Sequence, residues 1–240
     1  MARARSSEDP ETQGAAAGEK RISLVDDAYA AMRAAIRDAS FAPGYQASEQ
    51  EIALRLGMSR TPVHEAAIRL QEDGLVRVLP RKGILILALA PDDMREIYDV
   101  VIAMEGRAAE LVAALPDEAR LAAAQTLDAH TDAMAAAHAR GDLPGWGSAD
   151  AAFHAALIAQ ARNGRMSRIV QAINDQSHRA RMLTLNLRRT LDASIGEHRR
   201  IAVAIRAGAI EDALEAARQH RIRARDELLP LLNSYGLKHL

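Results

Sequence analysis

The stretch that opens at Ser48-Glu49 and closes at Gly83 constrains this chain more than any other part of it. Ser48 stands before Glu49, Gln50 and Glu51, a hydroxyl cap followed by acids in the first turn, and this predicts the start of a helix. Ile52, Ala53 and Leu56 supply its apolar face, and Gly57 stops it as a residue free to take positive φ. Ser59 caps a second helix, with Pro62 in the first turn, where a missing N–H costs little. Val63, Ala66, Ala67 and Leu70 recur at helical spacing and face inward, while Arg60, Thr61, His64 and Arg69 share the opposite face. Gly74 ends that helix. Val76 and Val78, then Ile84 and Ile86, alternate around Pro80-Arg81-Lys82-Gly83, the pattern of a hairpin with a basic tip. Two short helices joined by a glycine turn and followed by a hairpin make a winged helix-turn-helix, a layout that pushes one helix into a DNA groove. The candidate DNA contacts are Gln50, Ser59, Arg60, Thr61 and His64, with Arg81, Lys82 and Gly83 on the wing. A plain helical hairpin with solvated arginines would account for any one of these signals, but not for their joint order.

The segment from about Ser23 to Leu87 resembles the N-terminal domain of the GntR family of bacterial transcription regulators. The matching residues are Pro43-Gly44, Ser48-Glu49, Leu56 through Val63, Glu65-Ala66, Gly74-Leu75-Val76 and Gly83. The family usually has an arginine, commonly an operator contact, where this chain has His64. An arginine grips a guanine with two hydrogen bonds, whereas a histidine offers one donor, or two when protonated. The resemblance therefore implies groove insertion and leaves the base preferred under residue 64 open.

A chain of 240 residues can bury two modest cores. The absence of cysteine excludes disulfides and cysteine-zinc sites, and suits a reducing compartment, the cytoplasm. The longest apolar run, Ile84 to Ala90, is far too short to span a bilayer. Residues 1–20, rich in Ala, Gly, Ser and Glu and without a hydrophobic signal core, read as a disordered tail. Residues 21–89 form the expected DNA-binding domain and 90–240 a helical effector and metal domain. Between Ser23 and Ala88, eight Lys/Arg face eight Asp/Glu, so a DNA surface must come from segregation of charge. One such module would bind weakly, because phosphate contacts supply most non-specific affinity. A homodimer on a palindromic duplex is the expectation.

Beyond Pro91 only helical periodicity remains. Breaks at Pro116, Gly141 to Gly147, Asn163-Gly164, Leu191 to Ser194 and Gly208 predict an all-α antiparallel bundle of about six helices, with caps at Asp92, Asp117 and Ser194. Heavy use of alanine suits close helix packing, and the stripe Ile97, Val101, Met104, Ala108, Leu111 marks the core face of the first helix. Asp150 and His154 are four apart and share a face with Phe153, Leu157 and Ile158. His198 keeps company with Ile201, Ala202 and Ile205, and His220 with Ala213, Ala217, Ala224 and Leu228. Three helices thus aim imidazole or carboxylate into an apolar interior, where an unpaired polar group costs about 1–3 kcal/mol. Hydrogen-bonded core histidines would explain one such residue. Three of them with an aspartate point to a divalent metal: zinc first, with nickel, manganese or iron(II) as alternatives. His130, also near an apolar stripe, receives no role.

Residues from Asp92 to about Leu232 resemble the FCD ligand-sensing domain of the FadR-type branch of that family. The motifs are Glu105 after Tyr98, Asp150-Ala151-Ala152-Phe153-His154, Asn163, Glu197-His198 with Ile201 and Ala204-Ile205, then Ala213 and His220. The resemblance implies that Asp150, His154, His198 and His220 hold the metal, and six helices would place the chain nearer a VanR-like subgroup. Many such domains carry a carboxylate-gripping arginine near Val101, where this chain has Val100 and Val101. A metal with open positions would bind a small carboxylate effector itself. Arg179, Arg181 and Asn186 are candidate further contacts, or a solvated helix face, and Arg221, Arg223 and Arg225 read as surface. The leading expectation is a transcription regulator, a repressor rather than an enzyme. The alternatives are a metal hydrolase with Glu197 as base, and a regulator whose metal is purely structural.

Overall fold

The structure, a computed structural model, describes residues 10–88, 90–187 and 191–234, with side chains from residue 24 and excepting those of 172, 183 and 186. The chain divides into two compact units between Leu87 and Ala88. In the first, helices α1 (Pro10–Arg37), α2 (Glu49–Leu56) and α3 (Arg60–Glu72) pack with a sheet of β1 (Gln46–Ala47), β2 (Val76–Leu79) and β3 (Gly83–Ile86). The sheet is antiparallel in the order β1-β3-β2, with Val78 opposite Ile84 and Gln46 opposite Leu85. The helix-turn-helix forms where the punctuation predicts. Ser48 Oγ accepts from Glu51 N at 3.1 Å, and Gly57 closes α2 at φ 66°. Ser59 has the extended backbone of an N-cap, although its side chain makes no capping bond. Met32 and Ile36 of α1, Ile52 of α2, Val63 and Leu70 of α3, and Ile84 and Ile86 of β3 share one core.

Two features differ from the expectation for this unit. The strand β1, too short to show a period of two, extends the wing through Ala47 and Gln46. Helix α1 begins at Pro10, inside the span expected to be a disordered tail. Gln13, Ala15 to Ala17, Glu19 and Lys20 are strong helix formers, which offset Gly14 and Gly18.

The second unit is all-α, with α4 (Pro91–Ala113), α5 (Asp117–Ala139), α6 (Leu143–Gln160), α7 (Gly164–Thr184), α8 (Leu191–Ala207) and α9 (Ile210–Ser234), and a 3-10 turn at Leu185–Leu187. Alanines let the helices approach: Ala108, Ala109, Ala123, Ala124, Ala202, Ala213 and Ala217 are all buried in the largest core cluster. Ile97, Val101 and Ala108 are buried along α4 as their stripe requires. The expected caps shift by a few residues. Ala90 precedes α4 with Pro91 at its first position, Pro116 precedes α5, and α8 starts at Leu191. Asp92 and Asp117 lie instead in first turns, where an acid favours the helix dipole without capping it. The break between α5 and α6 is shorter than the run of glycines implies, because Asp142 Oδ1 accepts from Gly145 N at 2.9 Å and starts α6 at Leu143. No described helix is long and apolar enough to cross a membrane.

Candidate functional site

On the DNA-binding unit, α3 turns Arg60, Thr61 and His64 outward, with the Arg60 side chain 68% and the His64 side chain 47% exposed. Gln50 and Ser59 are exposed beside them, as are Arg81 and Lys82 at the wing tip. Gln46 Nε2 donates to Lys82 O at 3.0 Å and ties the tip to β1. Gly83 has a backbone reason for its identity: at φ 90° an added Cβ would overlap the Ala47 carbonyl oxygen. Arg69 turns to α1, where its Nη1 donates to Asp26 Oδ1 at 2.5 Å and its guanidinium lies over the Tyr29 ring. The sequence reading did not foresee the part played by Glu49. Its Oε2 accepts from Arg60 Nε at 2.8 Å and its Oε1 meets His64 Nδ1 at 2.6 Å. Burial raises the Glu49 carboxyl, but the bonds from Arg60 and His64 outweigh that and hold it below the usual carboxylate range.

In the helical unit, α6 brings Asp150 and His154, α8 brings His198 and α9 brings His220 into one buried cluster. Their ligand atoms all lie within 4.8 Å of one another. His220 Nε2 is 3.3 Å from both His198 Nε2 and His154 Nε2, and Asp150 Oδ1 lies 3.6 Å from His154 Nε2 and 3.8 Å from His198 Nε2. Behind two of the rings stand carboxylates. His220 Nδ1 donates to Glu197 Oε2 at 2.7 Å, and His154 Nδ1 lies 2.9 Å from Glu105 Oε2, close but poorly aligned. Each carboxylate is held in turn by an arginine of α9. Arg221 donates to both oxygens of Glu105, at 2.7 and 2.5 Å, and Arg223 Nε to Glu197 Oε1 at 2.5 Å. Arg223 Nη2 also reaches Ser194 Oγ at 2.7 Å. One turn of α9 therefore supplies His220 and the two arginines that hold both carboxylates.

This geometry fits a divalent cation. A ring that gives its Nδ1 proton to a carboxylate keeps a bare lone pair on Nε2. The Glu197 bond leaves such a lone pair on His220 Nε2, which faces His154 Nε2 at 3.3 Å; the 2.9 Å approach of His154 Nδ1 to Glu105 favours the same tautomer there, and two lone pairs satisfy nothing between themselves. A proton on His198 Nε2 serves one of them at most. Among the described residues Asp150 Oδ2 is buried without an aligned hydrogen bond, although Arg181 Nε lies 3.3 Å away. His198 Nδ1 is likewise buried without a hydrogen-bond partner among the described residues, its ring stacked on Phe153 at 3.8 Å. Protonation states agree. Burial raises the Asp150 carboxyl, but Arg181 and His154 hold it well below its ordinary value. Burial pushes His198 and His220 well below theirs, and the neighbouring imidazoles add to the effect. Asp150 is thus an anion and His198 and His220 are neutral imidazoles, the forms that bind metal.

Several expectations need correction. Arg221, read as surface, is fully buried against Glu105, and Arg223 is half-buried on Glu197. A solvated face for Arg179 and Arg181 is excluded, since both are buried. Burial lowers the Arg179 guanidinium against the pull of Asp175, and Arg181 Nη1 donates to Ser177 Oγ at 2.9 Å. The side chain of Asn186 lies outside the described residues. Glu197 is no free base for hydrolysis, because both its oxygens are engaged. The sequence did hold one signal for the brace on His154: Glu105 is a carboxylate within the apolar stripe of α4.

Comparison with known proteins agrees with this architecture. The bacterial gntR regulatory family matches residues 24–86 and the FCD domain residues 96–223. The chain is 52% identical to an HTH-type transcriptional regulator in the TAR-I ttuE-ttuC' intergenic region of Agrobacterium vitis, over 65% of this chain and 91% of that one. It is 29% identical to a D-xylose utilization operon transcriptional repressor of Paenarthrobacter nicotinovorans, over 74% of this chain and 76% of that one. A solved GntR transcriptional regulator from Rhodococcus sp. RHA1 superposes with a TM-score of 0.72 at 25% identity, covering 87% of this chain and 98% of that one. A winged helix-turn-helix followed by a helical sensing domain defines a DNA-binding transcription regulator, not an enzyme. This chain belongs to the GntR family, in the group that carries an FCD domain.

Proposed function

We propose that this regulator is a metal-dependent sensor of a small organic acid that acts as a cytoplasmic repressor, binding a palindromic operator as a homodimer. The observation that carries the sensing half is the convergence of three Nε2 atoms and Asp150 Oδ1 in a buried cluster whose inward lone pairs the described residues cannot all satisfy. Asp150, His154, His198 and His220 would hold the ion, zinc first or else nickel, manganese or iron. Bound there, it supplies Lewis acidity toward a carboxylate. Arg181, 3.3 Å from Asp150 Oδ2, and buried Arg179 are the cationic side chains to orient the acid. Gln50, Ser59, Arg60, Thr61 and His64 would face the major groove, with Arg81 and Lys82 on the adjoining backbone. The balanced charge of the DNA unit favours two heads over one, and the repressor name borne by the Paenarthrobacter relative supports repression. Regulation requires that the acid prefer one arrangement of the heads over the other.

A second reading has an observation in its favour. Four protein ligands complete a tetrahedral zinc site and leave no place for an effector. Thermal melting of metal-loaded and chelated protein with a panel of small carboxylates separates the two. One acid that raises the melting temperature only in loaded protein supports the sensor. Stabilisation by metal alone, with no acid active, makes the site structural.

A further inference from the structure

The pair formed by Glu49 and His64 makes the base read by α3 depend on a proton. An ionised carboxylate only accepts hydrogen bonds, so the 2.6 Å contact requires that His64 Nδ1 carry its hydrogen toward Glu49 Oε1. Glu49 is held from the other side by Arg60 Nε at 2.8 Å, which stops it from swinging away with the ring. Nδ1 is thereby committed whether or not the ring is charged. Nε2 is the ring's other hydrogen-bonding atom, on a side chain 47% exposed. From α2 the facing group is Glu49, and on α3 itself it is Arg60, one turn earlier. Helix α1 and strand β2 also pack on α3, and on the α1 side the charged pair is Asp26 with Arg69, both about half exposed.

We infer that His64 reads its base pair through Nε2 alone, and that its protonation selects which base. A neutral ring presents a lone pair there, which accepts from an exocyclic amine and favours adenine N6 or cytosine N4. A charged ring presents an N–H, which donates to guanine O6 or N7, to thymine O4 or to adenine N7, so cytosine suits only the neutral ring, guanine and thymine only the charged one, and adenine either. Arginine, always charged, donates only and cannot make this exchange. Glu49 is the positioning residue, since without it either ring nitrogen could turn to the groove. The inference rests on α3 lying in the major groove, as proposed above.

The test is selection of binding sites from a random duplex library by the full-length protein. It is run at about pH 5.5 and about pH 8.5, on either side of the ordinary histidine value of about 6.5. Wild type, His64→Arg, Glu49→Ala and Arg60→Ala are compared, and other base positions serve as internal controls. The expected result is one position per half-site at which guanine or thymine gains on cytosine as the pH is lowered, with adenine tolerated at both. The expected change in preference is on the order of two- to tenfold, as suits one hydrogen bond. His64→Arg should select guanine there at both pH values, and Glu49→Ala should flatten the position. A wild-type site identical at both pH values, or a His64→Arg site identical to wild type, overturns the inference. If Arg60→Ala also leaves the selected site unchanged, the groove placement of α3 falls with it.

Discussion

Replacing Glu105 by glutamine should be among the most destabilising single changes in the helical unit. The carboxylate and the Arg221 guanidinium are both about 1% exposed and share two hydrogen bonds of 2.7 and 2.5 Å. Glutamine keeps the volume and one acceptor but leaves a buried guanidinium without its counter-charge. Breaking a buried pair from one side typically costs about 3–5 kcal/mol. For a chain of this size, roughly 2–4 °C of melting temperature per kcal/mol gives a fall of about 6–20 °C. The assay is calorimetry on chelated protein, so that the loss of the His154 brace does not enter through metal affinity. Removing the second charge as well, in Glu105→Gln/Arg221→Met, should recover part of the loss, a coupling that two independent sites would not show. The dependence on pH has a definite sign. Burial raises the Glu105 carboxyl, but Arg221 and His154 hold it well below its ordinary value in the folded chain. Its contribution is therefore complete above the unfolded value of about 4.3 and declines only as pH falls toward the folded one. The gap between variant and wild type should stay constant from about pH 5 to about pH 8. A loss under about 1 kcal/mol, or a gap that closes near neutrality, would refute the reasoning that the pair is dry and fully formed.

Three further outcomes follow from the same contacts. Glu197→Gln leaves the fold intact but weakens the hold on His220, and should lower metal affinity about 10- to 100-fold in a competition titration with a chromophoric chelator. Arg60→Ala, at an exposed position, should leave the melting temperature unchanged while costing about 1–3 kcal/mol of operator binding by anisotropy. Gly83→Ala must place a side chain at φ 90° against the Ala47 carbonyl, so the DNA-binding unit should lose at least about 1–3 kcal/mol and operator affinity with it.

The parts of this molecule that were legible in the sequence are those specified by near neighbours. Ser48, Gly57 and the Pro80–Gly83 turn announce α2, α3 and the wing because caps and positive-φ positions depend on a few consecutive residues. The members of the buried His/Asp cluster were legible for a related reason. Asp150 and His154 share a helix face at a spacing of four, and His198 and His220 interrupt apolar faces, so each was visible within its own helix. What supports them was not. Arg221 finds Glu105 from 116 residues away, and no local pattern separates it from Arg225, which pairs on the surface with Asp226. The run Arg221, Arg223, Arg225 therefore looks solvated in one dimension although its first member is buried and its second half-buried. Glu49 misled in the opposite direction: as a first-turn acid it had a sufficient local explanation, which hid its hold on Arg60 and His64.

The most direct test of the account is elemental analysis of the purified protein beside its His198→Ala variant, each before and after incubation with zinc, nickel, manganese and iron(II). Four ligand atoms within 4.8 Å of one another predict about one divalent ion per wild-type chain and none retained by the variant. Wild-type protein that binds no ion under any of these conditions would contradict it.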